Sequence, residues 1–166
     1  VPEDRLVGGF DIDTYTSAPL RISRAAVLEA PPLRVFTWIS DHAELDRWIP
    51  LVGPVNVVRG HADSPNGVGT IRYLHVGPYT LRQYVIAYDP PRLLAYSIEQ
   101  DPLFADHVGL LYLQGERYGG TQLTWQHYYR LELLPWLTDG PVALALDLVV
   151  RAALLRLVDQ FGGRLC

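Results

Sequence analysis

Residues 121–133 read Thr-Gln-Leu-Thr-Trp-Gln-His-Tyr-Tyr-Arg-Leu-Glu-Leu. Strand side chains alternate between faces, so Leu123, Trp125, His127, Tyr129 and Leu131 share one face. Gln122, Thr124, Gln126, Tyr128, Arg130 and Glu132 share the other. The first set is the inner one. It sets an imidazole and a phenol among apolar neighbours. After Pro135 the period turns helical: Val142, Ala145, Leu148, Val149, Ala152, Leu155 and Val158 fall on one broad face. Gly162 and Gly163 then close the helix. A half-buried strand running into a long apolar-faced helix predicts a sheet packed against that helix.

Working outward, residues 55–59, 69–76, 79–88, 93–100 and 108–118 are further runs rich in Val, Ile, Leu, Thr and Tyr. Breaks at 64–67, 77–78, 89–91, 101–107 and 119–120 carry Gly, Pro, Asn or Asp turn chemistry. The two-residue breaks imply hairpins and an antiparallel sheet. Residues 22–29 form an earlier strand, ended by Pro31 and Pro32. Pro32 suits a first helical turn, with Leu33, Phe36 and Ile39 at helical spacing, and a second short helix spans 43–48 after Asp41. The predicted class is α+β. An antiparallel sheet of about seven strands meets a long C-terminal helix at 137–161, with two short helices after the first strand. Residues 1–20 read as an N-terminal arm, in which Phe10 and Ile12 alternate as a weak strand would, and 21–166 as one ligand-binding domain.

Composition narrows the function classes. The chain has 166 residues, 49% hydrophobic and 19% charged, with net charge -4. That suits one domain with its own core. All 14 basic residues are Arg and none cluster, so no basic field awaits a nucleic-acid backbone. The single cysteine, Cys166, permits no intrachain disulfide. The longest apolar stretch, 142–150, is broken by Asp147 and too short to span a bilayer. No secretory pattern is visible, so a cytoplasmic location without stable membrane insertion is expected. The five histidines lie at no metal-ligand spacing, and no phosphate loop, dinucleotide fingerprint or nucleophile elbow occurs. No metal and no cofactor are expected. Oligomeric state is left open.

The motif series Ala30-Pro31-Pro32 with Val35-Phe36, Ser40-Asp41, Trp48-Ile49-Pro50, Gly67-Val68-Gly69-Thr70, Tyr88-Asp89-Pro90-Pro91-Arg92-Leu93, Gly120-Thr121 and Thr124-Trp125 resembles the START-like (SRPBCC, Bet v 1-type) superfamily. The likeness is to its polyketide cyclase/dehydrase and lipid-transport branch and runs over 22–161. It implies a helix-grip fold, a curved sheet around the last helix with an apolar cavity between them. It fixes no reaction, because members include enzymes, carriers, co-chaperones and sensors.

Three functions follow as expectations. One is binding or processing of an apolar small molecule, polyketide-like, aromatic or lipid, in that cavity. Another is cyclase or dehydratase chemistry, with His127 as general acid or base and Tyr129, Tyr73 or Tyr96 polarising a carbonyl. The third is a co-chaperone-like interaction module with a filled core. The candidate ligand-binding residues are Tyr73, His75, Arg82, Tyr84, Tyr96, Tyr112, Trp125, Phe104 and Leu148. Tyr73 and His75 are expected inward because Arg72, on the opposite face, prefers solvent. An inward Arg82 would anchor a carboxylate or enolate. Polarity does not choose the inner face of 79–88 or 108–118. Leu103 and Phe104 are expected on a loop as an apolar lid, with Asp101, Asp106 and His107 as its polar rim.

Overall fold

Short alternating runs separated by Gly and Pro turns fold into two antiparallel sheets in the computed structural model, which describes residues 5–61 and 63–166. A hairpin comes first, β1 (Leu6–Val7) with β2 (Phe10–Asp11), then a 3-10 turn at Ile12–Thr14. β3 (Leu20–Leu28) leads through Pro31 to α1 (Pro32–Ile39) and a 3-10 segment at His42–Arg47. A meander follows: β4 (Val55–Val58), β5 (Ile71–Val76), β6 (Tyr79–Asp89), β7 (Leu93–Ile98), β8 (Phe104–Gly115) and β9 (Thr121–Leu131). α2 (Pro135–Phe161) and β10 (Gly163–Leu165) complete the chain.

The main sheet has eight strands in the order β10-β3-β9-β8-β7-β6-β5-β4. α1 and the 3-10 segment carry the chain from β3, near one edge, to β4 at the other. The meander then returns strand by strand until β9 pairs with β3. β10 is the strand beyond the expected seven. Gly162, at φ 76°, ends α2, and the next three residues pair with Ala26–Leu28 rather than trailing away.

Each face of the sheet has its own core. The inner one joins Leu74, Val85, Leu94, Tyr96, Leu111, Leu123 and Trp125 to Phe36 and Ile39 of α1 and to α2. The outer one joins Leu93, Ala95, Val108, Leu110 and Tyr128 to Phe10, Ile12 and Ala18 of the N-terminal segment. The segment expected as an arm is therefore a cover for the sheet's outer face, and residues 1–4 of it lie outside the described residues. In α1 Leu33 is exposed, and Val35, Phe36 and Ile39 are the buried positions.

α2 is uneven along its length. Its buried residues, Val150, Ala153, Leu154, Leu157 and Phe161, all lie in the second half. Leu148 and Leu155, expected on the packed face, are 54% and 42% exposed. The helix is apolar nearly all round, so periodicity alone points its face wrongly. Arg24 of β3 reaches Asp147 through two parallel bonds of 2.8 and 2.7 Å, and Arg21 pairs with Asp139. These surface pairs mainly fix where the helix crosses the sheet.

Gly109 of β8 faces Tyr96 on one side and His127 on the other. A Cβ there would sit 2.6 Å from the Tyr96 hydroxyl oxygen. Gly109→Ala therefore has to displace the Tyr96 ring, with an expected loss of about 1–3 kcal/mol from overpacking. A denaturant titration checks this, and a change below about 0.5 kcal/mol would show that the site has room.

Candidate ligand-binding cavity

Because the first half of α2 stands off the sheet, a cavity of about 350 Å3 opens beneath it. Val142, Ala145, Leu146, Val149 and Val150 form the roof, and Leu74, Leu81, Tyr96, Ile98 and Trp125 form the floor. Ile49, Pro50, Leu51 and Val52 close one side, and Leu103 and Phe104 close another. A larger groove of about 510 Å3 runs outside, between α1, the 3-10 segment and the end of α2. Its ionic lining is exposed or half-buried, with Arg47 and Glu44 already paired, so the chemistry concentrates in the inner cavity.

Five polar side chains line the cavity and are buried: Arg72, Gln83, Tyr96, His107 and His127. Arg72 Nε donates to Gln83 Oε1 at 2.8 Å across the β5–β6 register. Arg72 Nη1 lies 3.1 Å from His42 Nδ1, and its Cζ lies 4.5 Å from the centre of the Tyr96 ring. His42 is itself buried, with Nε2 2.8 Å from the Asn66 carbonyl oxygen. That carbonyl can only accept, so His42 carries its proton on Nε2 and offers Nδ1 as a bare acceptor to Arg72. Tyr96 Oη accepts from Trp125 Nε1 at 3.1 Å. Burial pulls Arg72 down to about 10 and pushes Tyr96 up to about 12. Arg72 therefore stays a cation, and Tyr96 a neutral phenol, at neutral pH.

His107 Nε2 and His127 Nδ1 are 3.1 Å apart. Burial holds His127 at about 3, and burial followed by the His127 charge holds His107 well below its ordinary value. Both rings are neutral at pH 7, so one proton occupies the bridge between them. If His107 supplies it, His127 carries a second proton on Nε2 and is a donor. If His127 supplies it, its Nε2 is a bare acceptor. The outer nitrogens, His107 Nδ1 and His127 Nε2, have no hydrogen-bond partner. With both rings neutral, one outer nitrogen of the pair is a donor and the other an acceptor.

Of the residues expected from sequence, Phe104, Tyr96, Trp125 and His127 meet in this cavity. Tyr129 is buried but lies behind Phe104, their ring centres 5.3 Å apart, with the Arg21 guanidinium 5.5 Å from the Tyr129 ring centre. The face of β5 is the reverse of the expectation. Arg72 and Leu74 point in, whereas Tyr73 and His75 lie outside the lining, and His75 contacts Thr80 and Asn56. Arg82 and Tyr84 bond each other at 2.8 Å away from the cavity, because Leu81, Gln83 and Val85 are the inward set of β6. Tyr112 packs with the outer core and Leu148 faces solvent. Phe104 and His107 lie on β8 itself. His107 is in phase with Leu111 and Leu113 of the inner core, and the irregularity between Ala105 and Val108 lets Phe104, of the other parity, line the cavity too. The expected rim acids are structural, since Asp101 accepts from the backbone of Leu103 and Phe104 and Asp106 pairs with Arg130. Polarity patterning misses Arg72, Gln83 and His42, and puts His107 on a rim loop when it lines the cavity from β8. Among the described residues no three His, Cys, Asp or Glu side chains gather as metal ligands. No helix among them is long and apolar enough to cross a membrane.

Residues 19–162 match the family model described as polyketide cyclase / dehydrase and lipid transport. The chain belongs to this family. The START-like, SRPBCC-type superfamily is thereby shown, and solved structures agree on the fold. A Thermobifida fusca protein aligns with TM-score 0.70 at 22% identity, covering 85% of this chain and 92% of its own. The di-domain ARO/CYC BexL of the BE-7585A biosynthetic pathway aligns with TM-score 0.69 at 17% identity over 86% of this chain, which spans 50% of that one. Ara h 8.0201 aligns with TM-score 0.60 at 16% identity, covering 83% of this chain and 97% of its own. No curated protein matches the sequence.

The three buried imidazoles make stability depend on pH. His42 and His127 lie near 3 in the fold against 6.5 when exposed, and His107 is also lowered. Between those values the unfolded chain binds more protons, so stability rises with pH. Their contribution is complete above about pH 6.5 and fades as the pH falls, by on the order of 2 kcal/mol each for His42 and His127 at pH 5. Urea unfolding at pH 7.5 and 5.0 should show this loss, and His127→Phe should shrink it. Equal stability at the two pH values would contradict neutral burial.

Proposed function

We propose that this protein binds an apolar, ring-bearing small molecule of aromatic or polyketide-like type in the cavity between the sheet and α2. The observation that carries the reading is a half-open, mainly apolar cavity with a few buried polar groups on its floor. That combination is typical of small-molecule sites. At about 350 Å3 the volume lies at the low end for such sites, which favours a compound of two or three rings over a diacyl lipid. Burial would contribute about 25 cal/mol per Å2 of apolar surface, less the cost of ordering ligand and roof. Tyr96 and Trp125 offer flat apolar faces, and the Tyr96 hydroxyl a point of orientation. The family's description and the ARO/CYC relative support this class of ligand. The cavity favours this reading over an interaction module of the co-chaperone kind, for which a filled core is expected. A cytoplasmic location fits this reading.

Leu146→Trp, which places an indole in the roof, should abolish binding of 2-naphthol, followed by its fluorescence, while leaving the circular dichroism spectrum unchanged. Undiminished binding by this variant would place the ligand elsewhere.

The His107–His127 pair favours a second reading, catalysis in the same cavity. His127 would exchange a proton with a carbonyl compound, His107 would set its tautomer, and Tyr96, of the three tyrosines expected for the role, would polarise the carbonyl. A placed histidine contributes about 100- to 10,000-fold to such a step. With the compound extracted from freshly purified protein as substrate, His127→Phe should lower turnover by at least about 100-fold and leave affinity within a few-fold. Unchanged turnover would reject the assignment.

A further inference from the structure

The cavity contains a cation whose partners are all neutral. Arg72 is 2% exposed, and its neighbours are the Gln83 amide, the His42 imidazole and the face of Tyr96. Among the described residues no ion pair involves it. Arg82 and Arg130, at the sheet's surface, at least meet polar groups open to solvent. A buried charge without a counter-charge is costly, and proteins ordinarily pair it or neutralise it. Neutralisation is closed to Arg72, because burial lowers it only to about 10.

The guanidinium is also held in a fixed pose. Gln83 takes the Nε proton and His42 takes one from Nη1, while His42 is pinned in turn by the Asn66 carbonyl. A guanidinium has five N–H donors, and these bonds use two. Nη2 makes no hydrogen bond to the described residues, and Arg72 lines the cavity. What remains is a fork of unused donors beside an apolar chamber, the geometry that matches a planar carboxylate.

We infer that the ligand of this cavity is an anion, an aromatic or polycyclic carboxylate whose carboxylate pairs with Arg72 while its rings lie under α2. The inference rests on the cavity reading above and adds the charge of the ligand to it. A carboxylate supplies the missing counter-charge and accepts from the unused N–H groups. An amide of the same shape supplies an acceptor but no charge. Gln83 and His42 are positioning residues in this scheme, since both act through the guanidinium.

The test compares 2-naphthoate with 2-naphthamide by isothermal titration calorimetry at pH 7.5, on the wild-type protein, Arg72→Met and Arg82→Met. Wild type should prefer the carboxylate by at least about 30-fold, in line with the strength of a charge-assisted pair. Arg72→Met should lose that preference and keep its affinity for the amide within a few-fold. Arg82→Met should behave as wild type. Equal binding of the two compounds to wild type would overturn the inference while leaving the cavity reading intact. A preference that survives in Arg72→Met, or disappears in Arg82→Met, would move the anion site and overturn it as well. Binding of neither compound would reject the cavity reading, and the inference with it. The wild-type comparison decides the matter even if Arg72→Met does not fold.

Discussion

Val150, Ala153, Leu154, Leu157 and Phe161 press the second half of α2 onto the inner face of the sheet, and the position of everything else follows from that stripe. A helix is stiff over this length, so anchoring one half fixes the path of the other. The first half cannot reach the sheet and becomes a roof. Its composition suits a roof, because Gly140 lowers helix propensity and Pro141 removes one backbone bond from the first turns. The roof is therefore the least reinforced part of the helix, held laterally by Arg21–Asp139 and Arg24–Asp147. A ligand can enter beneath such a roof at little cost to the anchored half.

The floor obeys a second constraint, that of polar groups without water. Buried polar atoms are ordinarily satisfied, yet His107 Nδ1 and His127 Nε2 are not, and Arg72 has no counter-charge. These departures are gathered in one chamber, on β5, β8 and β9. Elsewhere some buried polar groups are satisfied, as where Thr121 donates to the Ala30 carbonyl and Thr16 to the Asp106 carbonyl, whereas Trp38 Nε1, Trp48 Nε1, Arg82 Nε and Tyr129 Oη, outside the cavity lining, are not. Unmet hydrogen-bonding capacity in the cavity is stability given up where a ligand can restore it.

The same concentration explains how far the sequence could be read. The strand order, the turns and the inner face of β9 were legible, since Leu123, Trp125 and His127 sit opposite Gln122, Thr124 and Gln126. β7 was legible for the same reason, with Leu94, Tyr96 and Ile98 as its inward set. β5 was not. The rule that charge faces solvent sends Arg72 outward and Tyr73 and His75 inward, and it fails where a cation is buried to meet a ligand. His107 was hidden differently: the turn residues Asp101 and Pro102 suggest a loop, whereas the strand begins at Phe104 and His107 alternates in phase with the inward Leu111 and Leu113. α2 was hidden by excess, because leucines on every side leave no polar stripe to mark the outside. Fold is thus written in patterns that many residues share, and the site in the few residues that break them.

Gly109 shows how closely the two are coupled. It lies in the register between Tyr96 and His127, and its missing side chain is the space that the Tyr96 ring occupies. Any larger residue would drive the ring off its place, and with it the Trp125 hydrogen bond and the aromatic face against Arg72. A glycine weakens a strand by its entropy and its lack of packing. Here that weakness lets a phenol, an imidazole pair and a guanidinium share one floor. Tyr96 touches each of them: 4.5 Å from Arg72 Cζ to its ring centre, and 5.8 and 6.3 Å between its ring centre and those of His107 and His127. The aromatic ring is the hub that brings charge, proton and apolar surface within reach of one ligand.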